Sequence, residues 1–110
     1  MIEIKIKPLS VNKVWRGRRF KTPDYEAYEE ELWYLLPKGN RPAGKLQLTI
    51  EFGFSTKASD VDNCVKPFID VLQKKYIFND NMIYKLVVEK KIVPKKQEYI
   101  KFKIEKYEDR

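Results

Sequence analysis

Apolar and charged residues alternate at the start of the chain: Ile2, Ile4 and Ile6 are separated by Glu3, Lys5 and Lys7. A period of two gives a strand one apolar face, so the pattern predicts a half-buried strand over about residues 1–7, closed by Pro8. After a polar, basic stretch the period changes. Thr22-Pro23 offers an N-cap followed by proline at the first helical position. From there Tyr25, Tyr28, Leu32 and Leu35 recur every three or four residues, with Asp24, Glu26, Glu29, Glu30 and Glu31 toward the positive N-terminal end. This predicts a first amphipathic helix, stopped by Pro37-Lys38-Gly39-Asn40.

Alternation returns at Leu46, Leu48, Ile50 and Phe52, spaced by Gln47, Thr49 and Glu51, which predicts a second strand over about residues 45–54. Val61, Val65, Phe68 and Leu72 step by four, three and four, predicting a second helix over about 61–74. Pro67 lies inside it and removes one amide donor, so a kink is expected near Asn63–Pro67. After a loop at about 75–82, Tyr84–Val93 and Gln97–Tyr107 are rich in Val, Ile, Tyr and Phe and flank Pro94-Lys95-Lys96. They read as a β-hairpin whose Ile100, Phe102 and Ile104 face the core, with Lys101 and Lys103 on the other side. The order β-α-β-α-β-β predicts an α/β (α+β) fold: a small mixed sheet with two packed helices, in a single domain over residues 1–110.

Composition narrows the chemistry. There is one cysteine, Cys64, and no histidine. An internal disulfide, the common Cys/His zinc sites and every histidine-based catalytic arrangement are thereby excluded. Acid–base or metal chemistry falls to carboxylates and lysines, and a reducing, cytoplasmic setting is expected. No stretch approaches the roughly 20 apolar residues of a membrane span, and residues 1–7 lack the apolar run of a secretory signal. The net charge of +7 suits a polyanionic partner.

Two segments concentrate reactive side chains. In Ser59-Asp60-Val61-Asp62-Asn63-Cys64-Val65-Lys66-Pro67-Phe68-Ile69-Asp70, carboxylates gather at a loop–helix junction. Asp60 and Asp62 in a first helical turn suit ionised carboxylates, and two of them together suit Mg²⁺, a hard ion that keeps waters and shares phosphate oxygens. The same residues also read as a capping box, Ser59-x-x-Asp62, with Asp60 as an ordinary cap. Lys66 is placed either to pair with Asp62 one turn back or to approach a phosphate, and Asp70 is placed as a second partner for Lys66. Asp80, in Asn79-Asp80-Asn81, is a turn residue that a loop returning from the helix could bring beside Asp60 and Asp62. The second segment is basic: Lys13, Arg16, Arg18, Arg19 and Lys21 surround Trp15 and Phe20, a mixture that suits phosphate contact and base stacking.

These residues together resemble the RusA-like Holliday junction resolvases. The likeness runs from Pro8-Leu9-Ser10-Val11-Asn12-Lys13-Val14-Trp15 through Asp60-x-Asp62-Asn63-x-x-Lys66-Pro67-x-x-Asp70 to Asn79-Asp80-Asn81-Met82-Ile83. The resemblance implies a homodimeric, Mg²⁺-dependent endodeoxyribonuclease, with Mn²⁺ as a substitute, that nicks four-way DNA junctions in pairs during recombination and repair. It implies metal-binding and catalytic roles for Asp60, Asp62 and Asp80 and a catalytic role for Lys66. The family often carries two adjacent acids after the helix, whereas here the first is Asn79 and Asp80 is the only carboxylate of that loop. A non-catalytic basic DNA-binding domain and a less selective branched-DNA nuclease are the alternative readings.

Overall fold

The computed structural model describes residues 1–10, 15–16 and 20–108, with the backbone alone at 15, 16, 20 and 21. Its elements run β1 (Ile2–Ile4), β2 (Trp15–Arg16), β3 (Phe20–Lys21), α1 (Pro23–Leu35), β4 (Leu46–Phe54), α2 (Asp62–Tyr76), a short 3₁₀ turn (Asp80–Met82), β5 (Ile83–Ile92) and β6 (Tyr99–Lys106). β2 and β3 pair antiparallel as a small ribbon that the sequence pattern did not predict. The other strands form one mixed sheet in the order β1-β6-β4-β5.

The expected pairing of the last two strands is not what forms. β5 lies parallel to β4 on one side, β6 lies antiparallel to β4 on the other, and β4 separates them. The segment joining β5 to β6 crosses the end of β4, where the Val93 amide donates to the Phe54 carbonyl. Burial accounts for the arrangement. β4 has the most buried strand pattern, and a strand between two neighbours has both rows of backbone groups hydrogen-bonded. β5, mostly exposed along its length, takes the edge.

Register fixes the two faces. Leu48, Ile50 and Phe52 stand opposite Ile104, Phe102 and Ile100, and Ile4 in turn stands opposite Ile100. On this face the helices pack. Tyr28, Leu32 and Leu36 join Cys64, Phe68, Val71 and Leu72 in one core. The Phe68 ring meets Phe52 and Phe102 edge-on at 6.2 and 5.5 Å. Full burial of a side chain of this size stabilises by about 1.5–3 kcal/mol. On the opposite face, Gln47, Thr49 and Glu51 pair with Glu105, Lys103 and Lys101, a polar ladder of mixed charge.

Helix α1 starts where predicted: Thr22 caps it, its hydroxyl accepting from the Tyr25 amide at 3.2 Å. Its last core contact comes from Leu36, just beyond the helix, while Leu35 points outward. Helix α2 runs without a break through Pro67, whose side chain is buried. Its buried face is Cys64, Phe68, Val71 and Leu72, with Val61 and Val65 only half-buried, so the helix is turned slightly from the face the apolar spacing picked out. Among the described residues no helix is long and apolar enough to cross a membrane.

Candidate active site

Asp60 and Asp62 enter the structure where β4 hands over to α2. The N-cap of α2 is Val61, in helical geometry and with no side-chain cap bond, and Asp62 is the first helical residue. Neither aspartate caps the helix, so the capping-box reading does not hold. Asp60 accepts a 3.4 Å hydrogen bond from the Asn63 amide group, and the Asp62 carboxylate has no hydrogen-bond or ion-pair partner among the described residues. Both side chains are exposed.

The two carboxylates act on the same neighbour. Burial first, and then the charges of Asp60 and Asp62, raise the Cys64 thiol from 9.0 to about 11. The lone cysteine is therefore a neutral core residue at physiological pH, not a nucleophile. Beside it the Tyr28 hydroxyl is buried with no hydrogen-bond partner among the described residues, and burial holds its ionisation far above the ordinary range. A cleft of about 590 Å³ opens next to these groups, floored by Ile6, Phe54 and Tyr28, with Asp24, Glu31 and Asp60 among its lining.

The loop before α2 is held by a residue that the sequence pattern does not single out. Lys90, on the neighbouring β5, donates to the carbonyls of Lys57 and Ser59 at 2.8 and 2.6 Å. Its ammonium thus stitches the segment that presents Asp60, and it does so from a strand paired with the end of β4. No local spacing rule marks such a contact in the sequence.

Further along α2, Lys66 pairs with Asp70 at 3.3 Å, one turn on, and not with Asp62. Asp70 also accepts from the Gln73 side-chain amide at 3.5 Å, and its charge lies near the hydroxyl of Tyr25, a buried α1 residue. Burial and the nearby charges of Asp70 and Glu29 push the Tyr25 hydroxyl well up, so it stays a donor. Gln73 and Tyr25 were not sequence candidates for the site. The i, i+3 spacing of Asp70 and Gln73 is a signal that could have found the first of them.

Asp80 lies at the other end of α2. Its backbone amide donates to the Gln73 side-chain oxygen at 2.7 Å, and its exposed carboxylate has no partner among the described residues. Gln73 comes eleven positions after Asp62, about 16 Å along the helix axis. The sheet says the same: Ile83, just after Asp80, stands opposite Leu46 at the start of β4, whereas Asp60 comes after its end at Phe54. The loop return that would bring Asp80 beside Asp60 and Asp62 does not occur within one chain. Among the described residues no three acidic or thiol groups converge as a metal site would require.

Of the basic segment, Lys13, Arg18 and Arg19 lie outside the described residues. Arg16 and Lys21 belong to the β2–β3 ribbon, in the pairs Arg16 with Phe20 and Trp15 with Lys21.

A mixed sheet with helices on one face and exposed, unpaired carboxylates at both ends of a crossover helix defines a small acidic-site α+β domain without histidine or reactive thiol. The sequence model described as Endodeoxyribonuclease RusA matches residues 9–105, and the chain belongs to that family. Membership implies the nuclease activity of a Holliday junction resolvase. No curated protein matches the chain.

Proposed function

We propose that this protein is a Mg²⁺-dependent endodeoxyribonuclease that resolves four-way DNA junctions by paired nicks, as a homodimer, in recombination and repair inside the cell. The observation that carries the reading is the state of Asp60, Asp62 and Asp80. All three are exposed, none caps α2, and none forms an ion pair among the described residues. Charged groups left uncommitted by the fold, in a member of this family, are groups kept for a ligand.

The donor set fits a hard divalent cation. It consists of carboxylates alone, and Mg²⁺ takes one or two of them while retaining water and phosphate oxygens. Asp60 and Asp62 would hold it at one end of α2, with Mn²⁺ as a substitute. When bound, the ion supplies Lewis-acid charge for the phosphoryl oxygen and a more acidic water. Asp60 and Asp62 orient the phosphodiester by fixing where positive charge can sit. Lys66 carries an exposed ammonium, paired with Asp70, one turn away that offsets charge developing on the phosphate.

Because one chain holds Asp80 at the far end of α2, the three carboxylates work on one phosphate only if a second copy contributes its Asp80. A two-fold dimer supplies two such sites, one for each of two symmetry-related strands of a junction. The basic residues Lys13, Arg16, Arg18, Arg19 and Lys21 serve to contact phosphates.

The test is cleavage of a synthetic four-way junction, a linear duplex and a flap, each with Mg²⁺ or with EDTA. Paired nicks confined to the junction and dependent on Mg²⁺ are the expected result. Cleavage of all three substrates would mean a less selective nuclease, and binding without any nick would mean a DNA-binding domain.

A further inference from the structure

One face of α2 carries Asp62, Lys66, Asp70 and Gln73 at helical spacing, and its last member does more than continue the stripe. The backbone oxygen of Gln73 accepts from the amides of Ile77 and Phe78, closing the helix. Its side-chain oxygen accepts from the Asp80 amide at 2.7 Å. Gln73 therefore gathers three donors of the segment that leads to Asp80. On its other side, the amide NH₂ donates to Asp70, the partner of Lys66. The two ends of the amide are not interchangeable here, since a backbone N–H can only donate and a carboxylate can only accept.

The remaining bonds of the Asp80 turn are local. The Asn79 side chain accepts from the Asn81 amide, and the Asn79 carbonyl accepts from the Met82 amide. Among the described residues, only the Gln73 side chain ties the Asp80 amide to the helix.

We propose that Gln73 is a positioning residue whose side-chain oxygen holds the Asp80 turn against the end of α2. The inference rests on the reading of Asp80 as a residue of the nuclease site. A site that takes Asp80 from one copy and Asp60 and Asp62 from the other needs the Asp80 turn held in one place on its own helix, and the Gln73 side chain ties it there.

Two variants test it. Gln73→Met keeps the side-chain length and removes both hydrogen bonds, whereas Gln73→Glu keeps an oxygen for the Asp80 amide and loses the donor to Asp70. Amide hydrogen exchange at Asp80, monitored by NMR, reads the clip without any cleavage. Gln73→Met is expected to speed that exchange about tenfold, the loss of one ordinary hydrogen bond. It should also slow single-turnover junction cleavage about tenfold at unchanged junction affinity in EDTA. Gln73→Glu should restore the exchange protection and most of the cleavage rate. Exchange at Asp80 unchanged in Gln73→Met overturns the proposal, as does faster exchange with cleavage at the wild-type rate. If the wild-type protein cuts no junction, the nuclease reading fails by itself, and the exchange comparison still decides whether Gln73 holds Asp80.

Discussion

Consider a mixture of two variants, Asp62→Asn and Asp80→Asn. Asp62 stands at the first helical position without a cap bond, so the amide loses only the attraction between a carboxylate and the helix dipole, about 0.3–1 kcal/mol. With an unfolding entropy of about 2.1 cal/mol/K per residue, that is a fall in Tm of about 1–4 °C for a chain of 110 residues. Asp80→Asn leaves the backbone bond to Gln73 in place and puts a good turn residue in the turn. Both variants should therefore fold, dimerise and bind a junction, while each alone cleaves at least about a hundredfold more slowly. If Asp60 and Asp62 of one copy act with Asp80 of the other, a mixed dimer has one site with both substitutions and one intact site. Free exchange makes half of the dimers mixed, so about a quarter of wild-type sites return. The assay is a junction labelled on each strand, with differently tagged variants to verify that mixed dimers form. Single nicks should recover to that level while paired nicks stay absent, because no mixed dimer holds two intact sites. Verified mixed dimers that cut nothing would refute the shared site.

Four further outcomes come from local geometry. Ile77 ends α2 at a φ of 52° with its side chain 79% exposed, a left-handed conformation that a β-branched residue adopts at a cost. Ile77→Gly should raise Tm by about 4 °C, a net gain of about 1 kcal/mol after the greater entropy of unfolded glycine; a lower Tm would show that the exposed side chain contributes packing. Gly53 sits opposite Tyr99, and a Cβ there would overlap the Tyr99 ring, so Gly53→Ala should cost about 1–3 kcal/mol by urea denaturation. Adding Tyr99→Ala should make the alanine tolerable, and simple additivity of the two would refute the clash. The Cys64 thiol ionises near 9.0 when unfolded and near 11 when folded, so the folded state binds more protons between these values and stability falls as pH rises through them. Cys64→Ala should delay the alkaline loss until the tyrosines ionise, whereas an unchanged urea midpoint profile would exclude the thiol. Asn79→Asp should leave Tm unchanged and cleavage within about threefold of wild type, since Asn and Asp cap equally well; a tenfold rise in cleavage would assign the added carboxylate a chemical role.

The elements that alternate cleanly are legible in the residues themselves. β4 shows its burial in the sequence because Leu46, Leu48, Ile50 and Phe52 all face one way, and α1 shows its start in Thr22-Pro23. The partners of a strand are a different matter. β5 and β6 carry the composition of strands, and a short link with Pro94 between them reads as a hairpin turn. What decides the pairing is that β4 is buried on one face and flanked on both edges, information held in the summed packing of the chain and not in the residues of the link. The face of α2 shows the same limit. Val61 and Val65 fit the apolar spacing, but a helix that begins at Asp62 turns Cys64 and Val71 inward and leaves the valines at the margin.

At the site, residue chemistry was legible and proximity was not. A return loop could carry Asp80 back to Asp60 only if helix and loop were free lengths of chain. Parallel pairing of β4 and β5 removes that freedom: a crossover helix must travel the length of the sheet, so the residues after the first strand and those before the second lie at opposite ends. The separation of Asp60 and Asp62 from Asp80 is therefore a property of the topology, which no loop adjustment within one chain can undo. The same reasoning explains why Asn79 is compatible with the turn. Its side chain accepts the Asn81 amide as a cap, and the Asp80 amide goes to Gln73, so the geometry of Asp80 depends on an oxygen at position 79 and not on a second negative charge.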